Sequence, residues 1–324
     1  MAVSTYTTEE ILERVRIKGG WTNNFQLGAT DDDIIDLMNE AMYTEIVPRL
    51  MKVKEEYLVI TRRIPISANK SRYRIPERAA GQKLRDLYYL DQQGTRIRLP
   101  HISRENRHEH SDSPTTSPEA YFLEGTHIVL VPDLVGASGQ LELAYFFRPG
   151  QLVRNELARE VTVLQTVGGL KRFSYIGAAP SGWTTGLMFD IHSYLSGAQP
   201  KAFSITAQEV NSAGSYIDFT LTDVDGSQFG TDAVESADWI CLEGAAVVPG
   251  LPFELIPVLV QATVTRMAEQ LGDETYQYNR AELDRMLQAA GYLYDTRVEG
   301  QPKKLVSKQG RALYGGGGWG GGSW

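Results

Sequence analysis

The chain has 324 residues, 42% hydrophobic and 22% charged, a balance that fits a folded protein and argues against a disordered one. Its one cysteine, Cys241, excludes an intrachain disulfide and fits a reducing compartment. A net charge of −8 argues against a general nucleic-acid binder, and with no run of eighteen apolar residues no membrane span is expected.

The charge is unevenly spread. Twelve Lys/Arg face four Asp/Glu between Arg62 and Arg107, whereas 202–265 holds nine acids and no Lys or Arg. Solvated strand faces explain such runs; the sharper reading is two surfaces with different partners. The opening Met-Ala-Val-Ser-Thr lacks the basic start and apolar core of a signal peptide.

In chain order, Thr7-Thr8-Glu9-Glu10 opens a short helix with Ile11, Leu12 and Val15 on its apolar side, ended by Gly19-Gly20. Thr30 caps a second helix whose first turn is Asp31-Asp32-Asp33, matched to the helix dipole. Its stripe runs Ile34, Leu37, Met38, Ala41, Met42, Ile46 and Leu50, and Pro48 should bend it near the end. From Tyr57 the period falls to two. Strands are expected at 57–60, 64–66 and 71–76, then hairpins at 84–99 and 121–131 and a strand over 140–147. A more irregular set follows at 161–167, 171–176, 187–195, 202–207, 216–221 and 238–242. Two β units, split near 150–160, fit this pattern.

Helical spacing returns over 252–295. Pro252 takes a first-turn position, and Leu255, Ile256, Leu259, Val260, Val264, Met267 and Leu271 form a stripe, with Pro257 early enough to kink only the first turn. Gly272-Asp273 breaks it, and a second stripe runs through Tyr276, Leu283, Met286, Leu287, Ala290 and Tyr294. Such helices cannot bury an apolar face alone, and the matching faces lie at the other end of the chain. The expected fold is α+β. Residues 1–56 and 252–296 form a discontinuous helical bundle, 57–150 and 151–251 are inserted β domains, and 297–324 is an extended arm. The arm holds Lys303, Lys304, Lys308, Arg311 and Tyr314, then a glycine tract with Trp319 and Trp324. Such a tract cannot offset its own ordering entropy, and its two tryptophans ask for a receiving surface.

Motifs for chemistry are lacking. There is no phosphate-binding Gly-x-x-x-x-Gly-Lys, no Gly-x-Ser-x-Gly and no His-Glu-x-x-His. His108-Glu109-His110 lacks a third ligand for zinc, and Asp223-x-Asp225-Gly226 reads as a hairpin turn that lacks the later acids of a calcium loop. No enzyme activity, cofactor or metal is expected.

Taken together, Asp31–Ala41, Arg63-Ile64-Pro65-Ile66, Tyr73-Arg74-Ile75-Pro76, Lys83–Asp91, Phe122-Leu123-Glu124-Gly125, Tyr145-Phe146-Phe147-Arg148-Pro149 and the 252–271 helix resemble, in order and spacing, the head-to-tail connector (adaptor) proteins of tailed bacteriophages. The resemblance covers roughly two thirds of the chain; the second β unit is longer than in the smaller adaptors. It implies a homo-oligomeric, dodecameric ring in the virion at the head–tail junction, assembled in the host cytoplasm, with no membrane partner. The bundle would build the ring, and the arm would enter the portal protein, with Lys303, Lys304, Arg311, Tyr314, Trp319 and Trp324 as anchors. The β domains would meet tail tube, nozzle or fibre proteins. Double-stranded DNA would pass transiently and without sequence preference, eased by an acidic lumen. Asp218, Asp223, Asp225, Asp232 and Glu235, or part of the bundle, are the candidate channel-facing acids, and Arg62, Arg63, Arg72, Arg74, Arg96 and Arg98 the candidate subunit or tail interface. Two readings compete. A β-rich adhesion or glycan-binding module would use the 16 Tyr and 5 Trp for sugar stacking but leaves the terminal helices unexplained. A nucleic-acid-processing enzyme conflicts with the charge and the missing metal spacing.

Overall fold

The computed structural model describes residues 6–21, 29–110, 113–167, 170–193, 202–211, 213–219 and 237–294. The architecture is α+β.

Helix α1 (Thr8–Gly19) begins in a capping box between Thr7 and Glu10 and ends where Gly20 turns left-handed at φ 73°. Helix α2 (Asp31–Ala41) repeats the device with Thr30 and Asp33. The chain then widens into a π-turn (Met42–Ile46) before α3 (Val47–Val53). Pro48 accounts for this: it has no N–H for the Thr44 carbonyl and its ring crowds that turn, so Val47 N–H reaches back to Met42 O instead. The anticipated bend is thus a local rewinding.

At the far end, a 3₁₀ turn (Phe253–Leu255) leads into α4 (Ile256–Leu271), followed by α5 (Tyr276–Tyr294). Pro257, not Pro252, holds the first-turn position of α4. Helix α4 is buried almost all round and packs against α1, α2 and α5. Ile11, Val15, Ile34, Met38, Met42, Leu259, Val264 and Leu283 meet in one apolar core, so helices from both chain ends share it. Polar clasps fix the register: Gln261 and Thr265 donate to the Asn279 carbonyl at 3.1 and 3.2 Å. Arg266 of α4 bonds Glu40, Thr44 and Glu45 at the α2 end and π-turn.

Between these ends lie two β units. In the first, β1 (Val59–Pro65), β3 (Ala79–Leu90), β4 (Arg96–Arg98) and β7 (Gln140–Phe147) form an antiparallel sheet ordered β1-β7-β3-β4, while β2 (Arg72–Arg74), β5 (Ala120–Glu124) and β6 (His127–Val131) form a second ordered β2-β6-β5. Alternate β7 residues Leu141, Leu143, Tyr145 and Phe147 meet Tyr73, Tyr121, Ile128 and Leu130 in one core, the signature of a sandwich. The expected 57–60 and 64–66 strands are one strand, β1, because Val59 to Pro65 pair without a break along β7, and 55–58 wind as a 3₁₀ turn before it. Strand β3 carries a long bulge: Ala79 lies opposite Phe147 and Leu84 opposite Tyr145, leaving 80–83 against Phe146 alone. Gly81 (φ 59°) and Gln82 (φ 55°) make the turn.

In the second unit, β9 (Arg159–Val167), β10 (Leu170–Tyr175), β11 (Met188–His192), β12 (Ala202–Asn211), β13 (Tyr216–Phe219) and β14 (Trp239–Leu242) close into a barrel ordered β10-β13-β12-β11-β14-β9. Closure removes exposed strand edges. Phe173, Tyr175, Trp183, Phe189, Ile191, Ile217 and Ile240 fill it, with Trp183 edge-on to Phe189 at 4.9 Å. The chain comes into the barrel through β8 (Gln151–Leu152) and leaves through β15 (Ala245–Ala246), and these two pair in parallel.

Candidate functional site

The strands leading to and from the barrel form the junction of all three units, and several of the most deeply buried polar side chains gather there. Asn39 of α2 donates to Leu152 O (3.0 Å) and accepts from Leu152 N (2.7 Å), clamping the helical core to β8. Tyr43 donates its hydroxyl to Pro149 O at 3.0 Å. Thr8 holds the outbound strand, donating from backbone and hydroxyl to Val247 O. From the sandwich, Arg78 lies over the Phe147 ring and pairs with Asp190 of the barrel strand β11. Asp190 is fully buried and also accepts from Gly244 N at 2.9 Å.

Two neighbours could suggest catalysis. His192 donates from Nε2 to Ala245 O at 2.8 Å; burial pushes its pKa down against the pull of Asp190, which favours the neutral ring. Burial, reinforced by Asp190, pushes the Cys241 thiol up, away from the reactive thiolate. Both groups are enclosed, and the bonds of Asp190 and His192 tie the barrel strand β11 to Arg78 and to the turn and strand that leave the barrel. Among the described residues no group of three His, Cys, Asp or Glu could hold a metal ion. His108 and His110 are instead engaged separately, with Glu105 O and with Glu119.

Next to the junction, the β3 bulge, Tyr43, Pro48, Leu123 and Arg148 line an open groove of about 1000 Å³. Lys83 and Arg148 are exposed on its wall, and Lys83 lies 4.8 Å from the Phe146 ring centroid.

The arginine block reads differently in three dimensions. Arg63 and Arg96 converge on Glu142, and Arg96 also stacks on Tyr88. Arg72 and Arg104 share Glu124, Arg74 pairs with Glu77, Arg98 with Asp86, and Arg85 with Glu56. Arg62 stands on the same strand as Arg63. Glu56, Glu124 and Glu142 fall outside the 62–107 window that made the region look basic, so part of the surplus is offset by carboxylates brought in from elsewhere in the chain. The block is thus an exposed surface on which most of the named arginines are ion-paired.

Asp218 is likewise corrected as a channel-facing acid. It is 4% exposed and held bidentately by Arg172, both contacts at 2.7 Å, with the guanidinium stacked on Tyr216. That bond holds the Arg172 pKa above its ordinary range. Asp223, Asp225, Asp232 and Glu235 lie outside the described residues, as do Lys303, Lys304, Arg311, Tyr314, Trp319 and Trp324. The Asn39 clamp and the Arg78–Asp190 pair were not singled out from sequence. A buried-stripe Asn beside Met38 was the one signal available, since polar residues on an apolar face need a partner.

No protein-family model matches the chain, and no curated protein matches it in sequence. Among the described residues no helix is long and apolar enough to cross a membrane.

Proposed function

We propose that the chain is a structural, non-enzymatic virion protein, a ring-forming head-to-tail adaptor that docks on a portal through 297–324, continues the DNA channel and offers its β units to tail or fibre proteins. The observation that carries this reading is the shared core of the terminal helices with both β units inserted between them. That arrangement gives one helical body suited to ring building, with the β modules inserted between its two halves in the chain, and supports a closed, dodecameric array of heterologous contacts. The arm would leave from Tyr294, at the end of α5.

The acidic-lumen idea shifts to the helices. With Asp218 neutralised, repulsion would come from exposed helical acids that have no ion pair among the described residues, such as Glu9, Glu13 and Asp36, because Asp32, Glu40, Glu45 and Glu56 are paired by Arg154, Arg266, Arg280 and Arg85. The glycan-binding alternative loses support, because a sugar platform needs exposed aromatics on the β units, and Tyr175, Trp183 and Phe189 are interior.

A pull-down tests the proposal. Tagged portal protein from the same genome is expected to retain the full chain, with binding lost on removing 298–324. Failure of the full chain to bind would overturn the adaptor reading.

A further inference from the structure

Helix α3 and the last turns of α5 face each other across a cleft of about 300 Å³, lined by Ile46, Leu50, Val53, Leu255, Leu287 and Ala290. Its lining extends to Gly291, where an added Cβ would meet nothing within 4 Å. Arg49 and Lys52 also line it and are exposed. Among the described residues no carboxylate pairs with either. An aliphatic trough beside two uncompensated cations suits a flat aromatic group, which can bury its body against the aliphatic wall and offer its face to a cation. A plain aliphatic side chain would use only the first half of that arrangement.

The chain carries such a group close by. The described residues end at Tyr294, three residues beyond Gly291 and so about 5 Å further along the helix. Beyond it, 315–324 contains Trp319 and Trp324 and no charged side chain, so nothing in that tract is repelled by Arg49 or Lys52. Trp319 lies 25 positions after Tyr294. A tether of that length, were it coil-like, would have a root-mean-square span of roughly 25–30 Å, ample to fold back, and tethering of this kind gives an effective concentration on the order of millimolar. A second copy at micromolar concentration cannot compete with that.

We propose that the α3–α5 cleft is a receiving site for a tryptophan of the chain's own 315–324 tract, so that the free subunit holds its arm against its helical core. The inference rests on the reading of 297–324 as the portal arm. A portal must then displace the indole before the arm can enter it, so arm release accompanies templated assembly.

The test uses the full chain with 5-fluorotryptophan and fluorine NMR, with Trp319→Phe and Trp324→Phe assigning the two tail signals. One tail signal is expected away from the position of the free amino acid and unmoved by tenfold dilution. Gly291→Leu fills the cleft with a better helix former, and should return that signal to the free position while the Trp183 signal stays put. Both tail signals at the free position in the unaltered chain, or a signal indifferent to Gly291→Leu, would overturn the proposal; dilution dependence would overturn its own-chain form. Portal binding separates the two ideas. If nine in ten arms are seated, Gly291→Leu should tighten binding by about tenfold. A seated indole without any portal binding would sink the arm reading alone, and portal binding with both indoles free would sink the cleft alone.

Discussion

Asp190 shows how much one residue can carry. It is fully buried, and Arg78 and Gly244 N–H compensate its charge. Arg78→Met would strand that carboxylate, and removing one partner of a buried pair costs about 3–5 kcal/mol. Urea unfolding is expected to show a loss of this size. The double variant Arg78→Met/Asp190→Leu should recover most of it, because nothing charged is then left buried. His192 sets a pH dependence. Its pKa is lowered in the folded state from the ordinary 6.5, so the unfolded chain takes up the proton first. Stability from this group is therefore complete above about pH 6.5 and declines as the pH falls from there toward the folded-state value. Comparing denaturant midpoints at pH 8 and 5.5 should show this decline, and His192→Gln should flatten it; a midpoint that rises on acidification would contradict the assignment.

At the scale of the element, Thr30 and Asp33 illustrate what a local motif is worth. Their mutual bonds hold the Asp33 carboxyl below its usual pKa, and Thr30→Ala should cost about 1 kcal/mol by thermal or chemical unfolding. The β3 bulge carries the opposite sign. Gln82 adopts a left-handed φ of 55° that glycine accepts without strain, so Gln82→Gly should raise stability by up to about 1 kcal/mol. These elements also mark where sequence was informative. The Thr7–Glu10 capping box, the Thr30 cap, the apolar stripes of the helices and the 140–147 strand follow from neighbours a few residues apart, so their signals are local, whereas the return bond of Asp33 was not read. The bulge has no such signal, since Gly81-Gln82 reads equally well as ordinary strand interior. The π-turn was half legible: Pro48 announces a disturbance but not the form it takes. The arginine block misled because strand pairing brings Glu124 and Glu142 to it from beyond the window. Barrel closure and the β8–β15 pair depend on contacts between distant residues and leave no periodic trace.

For the whole molecule, the parallel pairing of Gln151–Leu152 with Ala245–Ala246 makes the barrel an insertion with neighbouring ends. Replacing 154–243 by a short Gly/Ser linker should therefore leave the helical core and the sandwich folded, with Arg78 released to water rather than stranded. Far-ultraviolet circular dichroism should retain the helical signal and a cooperative melt; loss of both would show that the barrel is integral to the core.

The adaptor role itself is best tested by imaging. The full chain, mixed with the portal protein from its own genome, would be examined by electron microscopy beside a sample lacking 298–324. The account predicts rings of this protein on the narrow end of the portal in the first sample and bare portals in the second. Rings that survive truncation would contradict the arm, and bare portals in both samples would contradict the adaptor role.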